Sequence, residues 1–184
     1  MSTGKAKDNL VWIDLETSGL DSRGSVILEI ATIITDKSLN IIAVGPQLVI
    51  HQPEEALDKM DGWCKKQHGD SGLTEAVRCS SVSVSQAEEE TLNFVSAHCP
   101  PKACPLCGNS ICFDRRFLIK YMPRLNALLS YRNVDVSSIK ELVNRWYPER
   151  TTEGSKASRH RAMEDIQESI RELSYYRTSV FKGK

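Results

Sequence analysis

The ten residues from Val26 to Thr35, VILEIATIIT, are the stretch that most limits what this chain can fold into. β-Branched side chains favour extended backbone and pack well on a pleated surface. A run this long predicts a buried strand. Glu29 interrupts it, and a lone carboxylate there is expected at an edge or paired. Apolar segments flank the run, one beginning at Leu10 and one from Ile41 to His51. Gly19 to Gly24 and Asn40 supply the turns between them. Three strands at this spacing predict an antiparallel meander. Gly45-Pro46 predicts a bulge or edge distortion in the third strand.

The first strand carries the chemistry. Val11 to Leu20 reads VWIDLETSGL. Side chains two apart on a strand share a face, so Asp14 and Glu16 are pushed together at the end of an apolar element. Like charges that close raise each other's pKa unless a cation lies between them. The usual remedy is a divalent metal, and hard oxygen ligands select Mg²⁺ or Mn²⁺. The alternative is a strand running out into a solvated acidic turn.

After Pro53 the periodicity changes. Short helices are expected over Glu54 to Met60 and over Trp63 to His68, the second stopped at Gly69. Ser85-Gln86-Ala87-Glu88 has the form of a capping box. It predicts a helix that Pro100-Pro101 ends. A fourth strand is expected over Leu106 to Phe113, with Asp114 directly after it and a helix to Tyr121, broken at Pro123. A fifth strand covers Tyr131 to Val136. Ser138-Ile139-Lys140-Glu141 is a second capping box, opening a helix to Trp146. Pro148 to Ser158 reads as a loop, and His160 to Tyr176 as the last helix.

This order predicts an α/β fold. Its mixed five-stranded sheet combines an antiparallel three-strand meander with parallel strands, flanked by helices. One domain over residues 1–184 is expected, with 1–8 and 178–184 as flexible tails.

Sites in open α/β sheets form at the carboxyl ends of strands. Asp14, Glu16 and Asp114 are all expected there. The last helix adds His160-Arg161-Ala162-Met163-Glu164-Asp165. Five residues along a regular helix turn through about 140°, so His160 and Asp165 cannot share a helical face. If the helix begins near Ala162, Asp165 lies in its first turn and His160 on the loop before it, able to turn to the same site. The alternative is an exposed histidine and an aspartate favoured by the helix dipole.

Composition narrows the substrate. Lys plus Arg equals Asp plus Glu at 24 each, whereas proteins that track long nucleic acids carry a basic stripe and a basic pI. The balance favours a short or small substrate, or a local basic pocket. With 26% charged and 40% hydrophobic residues the chain is globular, not disordered. No apolar run reaches the length of a membrane span. The opening MSTGKAKDNL lacks the apolar core of a signal peptide and makes a weak transit peptide. Cys104-Pro105-Leu106-Cys107, with Cys99 and Cys112, offers a zinc pattern, but structural zinc usually uses two tight pairs. Free thiols in a reducing compartment fit better.

Asp14-x-Glu16, Asp114 and His160-x4-Asp165 together resemble the DEDDh 3′–5′ exonucleases, on the ribonuclease H-like fold. Within that group the chain is similar to the oligoribonuclease family. The similar stretches run from about Leu10 to Arg177: VWIDLETSGL, EIATIITD, HQPEEALDKMDGWCKKQHGDSGL, CGNSICFDRRFLIKYMP, YRNVDVSSIKEL and HRAMEDIQESIRELSYYR. GNS before the third aspartate, and YR-x-x-DVS, are the narrower motifs. Thr17-Ser18 departs from the family's usual Met-Thr, and the cysteines from Cys104 to Cys112 are also unusual.

The resemblance implies two metal ions, Mg²⁺ or Mn²⁺, held by Asp14, Glu16, Asp114 and Asp165, with His160 as the general base. It implies hydrolysis of very short RNA, dinucleotides especially, to 5′-mononucleotides. Leu20 would wedge between the two bases, and Trp63 and Tyr131 would pack near the substrate. His68, Ser110, Arg132 and Ser137 would cap the 5′-phosphate, some of them from a second subunit of a homodimer. The cytoplasm and the mitochondrion are the expected compartments. Four of the substrate residues also have a plainer reading: Leu20 as a turn residue, Trp63 as core, Tyr131 as a strand aromatic, Ser137 as part of a helix cap. Two rival functions remain, a broader DEDDh exonuclease on DNA or longer RNA ends, and a non-catalytic nucleic-acid-binding module.

Overall fold

The structure is a computed structural model and describes residues 5–150 and 161–181. Its centre is a five-stranded sheet in the order β3-β2-β1-β4-β5. Strands β1 (Leu10–Thr17), β2 (Ile27–Thr35) and β3 (Ile41–Val49) form the antiparallel meander. Strands β4 (Leu106–Gly108) and β5 (Asn133–Asp135) pair parallel on the other side of β1. All nine residues of β2 are buried, as its β-branched run predicts.

Alternation along β1 divides the core between the two faces of the sheet. Val11, Ile13 and Leu15 pack with Val95 of α4 (Val84–His98) and with Phe117 and Leu118 of α5 (Cys112–Tyr121). Trp12 packs on the other face with Val143 of α7 (Val136–Trp146). It also meets Ile166, Ile170 and Tyr176 of α8 (Ala162–Ser179). The Trp12 indole is fully buried, and its Nε1 donates to Thr35 Oγ1 at 3.0 Å. A third cluster lies under α1 (Glu54–Asp58), α2 (Gly62–Asp70) and α3 (Leu73–Cys79).

The expected irregularity in β3 is present. Ala31 pairs with Gln47 and Ile33 with Val44, so Gly45-Pro46 forms a bulge on an edge strand. A Cβ on Gly45 would lie 2.5 Å from the Phe94 ring. The glycine lets α4 approach the sheet.

Several local expectations are corrected. α3 and α6 (Pro123–Leu128) are helices that the sequence pattern did not indicate. The box that caps α4 is Ser83 with Gln86, two residues before the expected one. Helix α7 is capped by Asp135, whose side chain accepts from Ser137 N, and begins two residues before Ser138. β4 is only three residues long, and Ser110 follows in left-handed backbone at φ 50°. The chain turns there into α5, so Asp114 lies on a helix and not at a strand end. Pro148–Arg150 is a 3₁₀ turn, and the rest of the expected loop lies outside the described residues. At the expected tails, Ala6 N donates to the His98 carbonyl at 3.3 Å, and α8 continues to Ser179. Among the described residues no helix is long and apolar enough to cross a membrane.

Candidate active site

Asp14 and Glu16 share the face of β1 that meets α8, because they keep the parity of Trp12. Helix α8 begins at Ala162, and Asp165 falls in its first turn. One oxygen from each of Asp14, Glu16 and Asp165 lies within 4.8 Å of the other two. Asp114 arrives from a different direction. It sits in the first turn of α5, almost fully buried, and its Oδ1 accepts the Leu15 amide at 3.0 Å. That amide lies between Asp14 and Glu16 in the chain, so the bond draws the fourth carboxylate alongside the other three.

The electrostatics follow from burial and crowding. Burial raises the Asp14 carboxyl well above the usual range, and Asp114, Glu16 and Asp165 raise it further. Burial, followed by Asp165 and Glu29, pushes Glu16 up to about 8. Burial carries Asp114 to about 7, against the bond from Leu15. Fully ionised, the group would hold more negative charge than nearby cations balance. Half-buried carboxylate oxygens that converge this closely suit a hard divalent cation, which favours their ionised forms. Asp14, Glu16 and Asp165 fit a hard divalent cation as donors.

Glu29 and Arg161 stand beside this cluster, and their partnership had no local signal in the sequence. Glu29 lies opposite Glu16 in the β1–β2 register. Its side chain is fully buried and pairs with the Arg161 guanidinium at 2.7 Å. The visible clue was a charge inside an apolar strand, which implied a partner without saying which.

His160 lies outside the described residues. The other expected substrate residues are placed as follows. Leu20 is 78% exposed, Trp63 on α2 62% and Tyr131 80%, so none of the three serves as core. The Arg132 guanidinium lies over the Tyr131 ring, 5.0 Å from its centre. Ser110 and Ser137 meet: Ser110 N donates to Ser137 Oγ at 2.9 Å, and the two hydroxyl oxygens are 3.2 Å apart. Ser137 Oγ also donates to Asn109 Oδ1 at 3.0 Å, and Asn109 Nδ2 donates to Ser169 on α8 at 2.8 Å. Asn109 was not singled out from sequence, although it lies within the GNS motif. His68 is buried and not with the serines: its Nε2 is 2.9 Å from the Thr17 carbonyl and its Nδ1 3.9 Å from Glu16. All six cysteines are free thiols.

Known proteins resemble the chain over almost its whole length. A family model described as "Exonuclease" matches residues 11–173. The "Oligoribonuclease" of Marinobacter nauticus is 52% identical over 182 residues, covering 99% of each chain. The "Oligoribonuclease, mitochondrial" of Homo sapiens is 51% identical over 186 residues, covering 100% of this chain and 78% of that protein. Among solved structures, the zinc-bound form of the E. coli ExoI–ssDNA complex superposes with a TM-score of 0.75. That match has 13% identity and covers 95% of this chain. The chain spans 41% of the length of that exonuclease, and the likeness establishes the shared fold. Sequence identity, chain coverage and the carboxylate site agree: the chain belongs to the oligoribonuclease family of exonucleases.

Proposed function

We propose that this protein is a metal-dependent 3′–5′ exoribonuclease that degrades very short RNA, dinucleotides above all, to 5′-mononucleotides. The observation that carries this reading is the convergence of Asp14, Glu16 and Asp165 within 4.8 Å, with buried Asp114 bonded to the Leu15 amide. The substrate class rests on the family, whose named members are oligoribonucleases. The balanced charge of the chain agrees with a short substrate. We read residues 1–184 as one exonuclease domain, since β1, α5 and α8 all contribute to one site.

Asp14, Glu16, Asp114 and Asp165 would hold two divalent ions, Mg²⁺ or Mn²⁺. Such ions, when bound, supply positive charge to the scissile phosphate and lower the pKa of a nearby water. His160 accepts the proton of the attacking water, a role suited to an imidazole whose ordinary pKa is about 6.5. The water oxygen bonds to phosphorus, the bond from phosphorus to the 3′-oxygen breaks, and the released nucleotide keeps its 5′-phosphate. Leu20, Trp63 and Tyr131 offer exposed apolar surface for the bases. Ser110, Ser137 and Arg132 supply donors for a terminal phosphate, and a guanidinium can grip phosphate through two parallel hydrogen bonds. His68, whose Nε2 lies 2.9 Å from the Thr17 carbonyl within the chain, would join the phosphate cap from the second subunit of a homodimer. A homodimer fits the exposed Tyr131, and the cytoplasm or mitochondrion fits six free thiols.

The test is turnover of 5′-labelled RNA of two, five and twenty nucleotides, with Mg²⁺ and with a chelator. Strong preference for the dinucleotide, lost on chelation, supports the reading. Equal cutting of every length would favour the broader exonuclease. No cutting by folded protein would revive the binding module. Replacing Asp14 or Asp165 with alanine should abolish turnover, and a near-normal rate in metal-loaded Asp14→Ala would sink the site assignment. Light scattering after size exclusion reads the dimer.

A further inference from the structure

The Glu29 carboxylate is fully buried and accepts five hydrogen bonds. Arg161 supplies three: Nε at 3.2 and 3.0 Å to the two oxygens, and Nη2 at 2.7 Å. Gln47 Nε2 from β3 gives a fourth at 2.9 Å, and the Ala162 amide a fifth at 3.2 Å. The rest of β2 is apolar or threonine, so a hydrophobic residue at position 29 would suit the sheet. A buried ion pair is weak support for stability compared with apolar side chains of similar volume. What it does supply here is orientation.

That orientation acts at the start of α8. Arg161 is the residue before the helix, in extended backbone at φ −127°, and its side chain makes no capping bond. The first amides of a helix lack internal partners. The Ala162 amide finds its partner in Glu29, so β2 caps α8 from outside the helix. Asp165 lies one turn on, with its amide bonded to the Arg161 carbonyl at 3.1 Å. Arg161 follows His160 directly in the chain. Glu29 also faces Glu16 across the β1–β2 ladder, so the guanidinium that orients α8 also offsets part of the repulsion between two facing carboxylates.

We propose that Glu29 and Arg161 form a positioning pair, which fixes the entry to α8 so that Asp165 meets Asp14 and Glu16 in working geometry and the chain that carries His160 is anchored at Arg161. The pair touches neither substrate nor the reacting atoms. The role given to His160 rests on the function proposed above.

The experiment compares Glu29→Gln, Arg161→Gln, the double variant and Arg161→Lys, with His160→Ala as reference. Circular dichroism checks the fold, and Mn²⁺ titration by calorimetry reads the metal site. Imidazole resonances of histidine-labelled protein, four in all, report on His160, assigned by its absence in His160→Ala. We expect Glu29→Gln to lower kcat for the dinucleotide at least tenfold, with KM within about twofold. We expect a displaced His160 resonance, weaker Mn²⁺ binding, and a double variant no slower than the slower single one. Arg161→Lys keeps the charge but not the fork and should fall between parent and Arg161→Gln. It carries the test if Glu29→Gln does not fold. Folded variants with parental kcat and an unmoved His160 resonance, or losses that simply add, would overturn the proposal. A parental rate in His160→Ala would instead defeat the function assigned to that residue, and Mn²⁺ affinity would still judge the pair.

Discussion

Replacing Glu16 with glutamine should cost the enzyme its activity and stabilise its metal-free fold. The fold moves this carboxyl from an ordinary 4.5 to about 8. The folded chain therefore holds a proton that the unfolded chain releases between those values. The stability tied to Glu16 is complete below about pH 4.5 and is lost as the pH rises through about 8. At about 1.4 kcal/mol per pKa unit, ionising Glu16 in the metal-free fold costs at most about 5 kcal/mol. Asp165, Glu29 and Asp114 share that cost, so we expect about 2–3 kcal/mol at Glu16 alone. Glutamine keeps the shape and removes the charge. Urea unfolding in chelator, at pH 5 and pH 9, reads the difference between variant and parent. The two should agree at pH 5, and the variant should be about 2–3 kcal/mol more stable at pH 9. Equal stability at both values would refute the claim that crowded, buried charge strains this site.

Three further outcomes follow from the same geometry. Mg²⁺ or Mn²⁺ should raise the melting temperature more at pH 8.5 than at pH 6, because the ions displace protons from groups raised to about 7 and about 8; equal increments would contradict this. Ser137→Ala should raise KM for a 5′-phosphorylated dinucleotide up to about tenfold, the worth of about one hydrogen bond, and should matter less for the unphosphorylated dinucleotide; an equal effect on both would remove Ser137 from phosphate binding. Gly45→Ala should lower stability by about 1–3 kcal/mol through the clash with Phe94 and leave kcat unchanged; a parental urea midpoint would show that α4 yields freely.

What the sequence revealed depended on how local the cause was. β1 and β2 were legible because their burial is written in consecutive residues, and the Asp14–Glu16 pair because strand parity is a local rule. The start of α8 was inferred from the spacing of His160 and Asp165, and Asp165 does fall in its first turn. The misses come from partners distant in the chain. Both Ser83 and Ser85 have an acid or amide three residues on, so the pattern alone could not choose. The fold decides because Glu88 is committed elsewhere: its carboxylate accepts the amides of Arg124 and Leu125 at the start of α6. The same contact explains why α6 was invisible, since its cap comes from α4. Asp114 was expected at a strand end because Leu106 to Phe113 looks extended. The left-handed turn at Ser110, whose amide is held by Asp135 and Ser137, depends on a strand more than twenty residues away. Glu29 shows the same limit, with its partner at the start of the last helix.

The four carboxylates come from β1, α5 and α8, which lie far apart along the chain, and α8 packs against both β1 and β2. On the ribosome, Asp14 and Glu16 emerge early and Asp114 later, but Asp165 joins them only when α8 docks. A fragment ending before Arg161 should therefore bind Mn²⁺ poorly and cut nothing, and full affinity in such a fragment would disprove this order of assembly. A nuclease built this way has no complete metal site until its last helix docks.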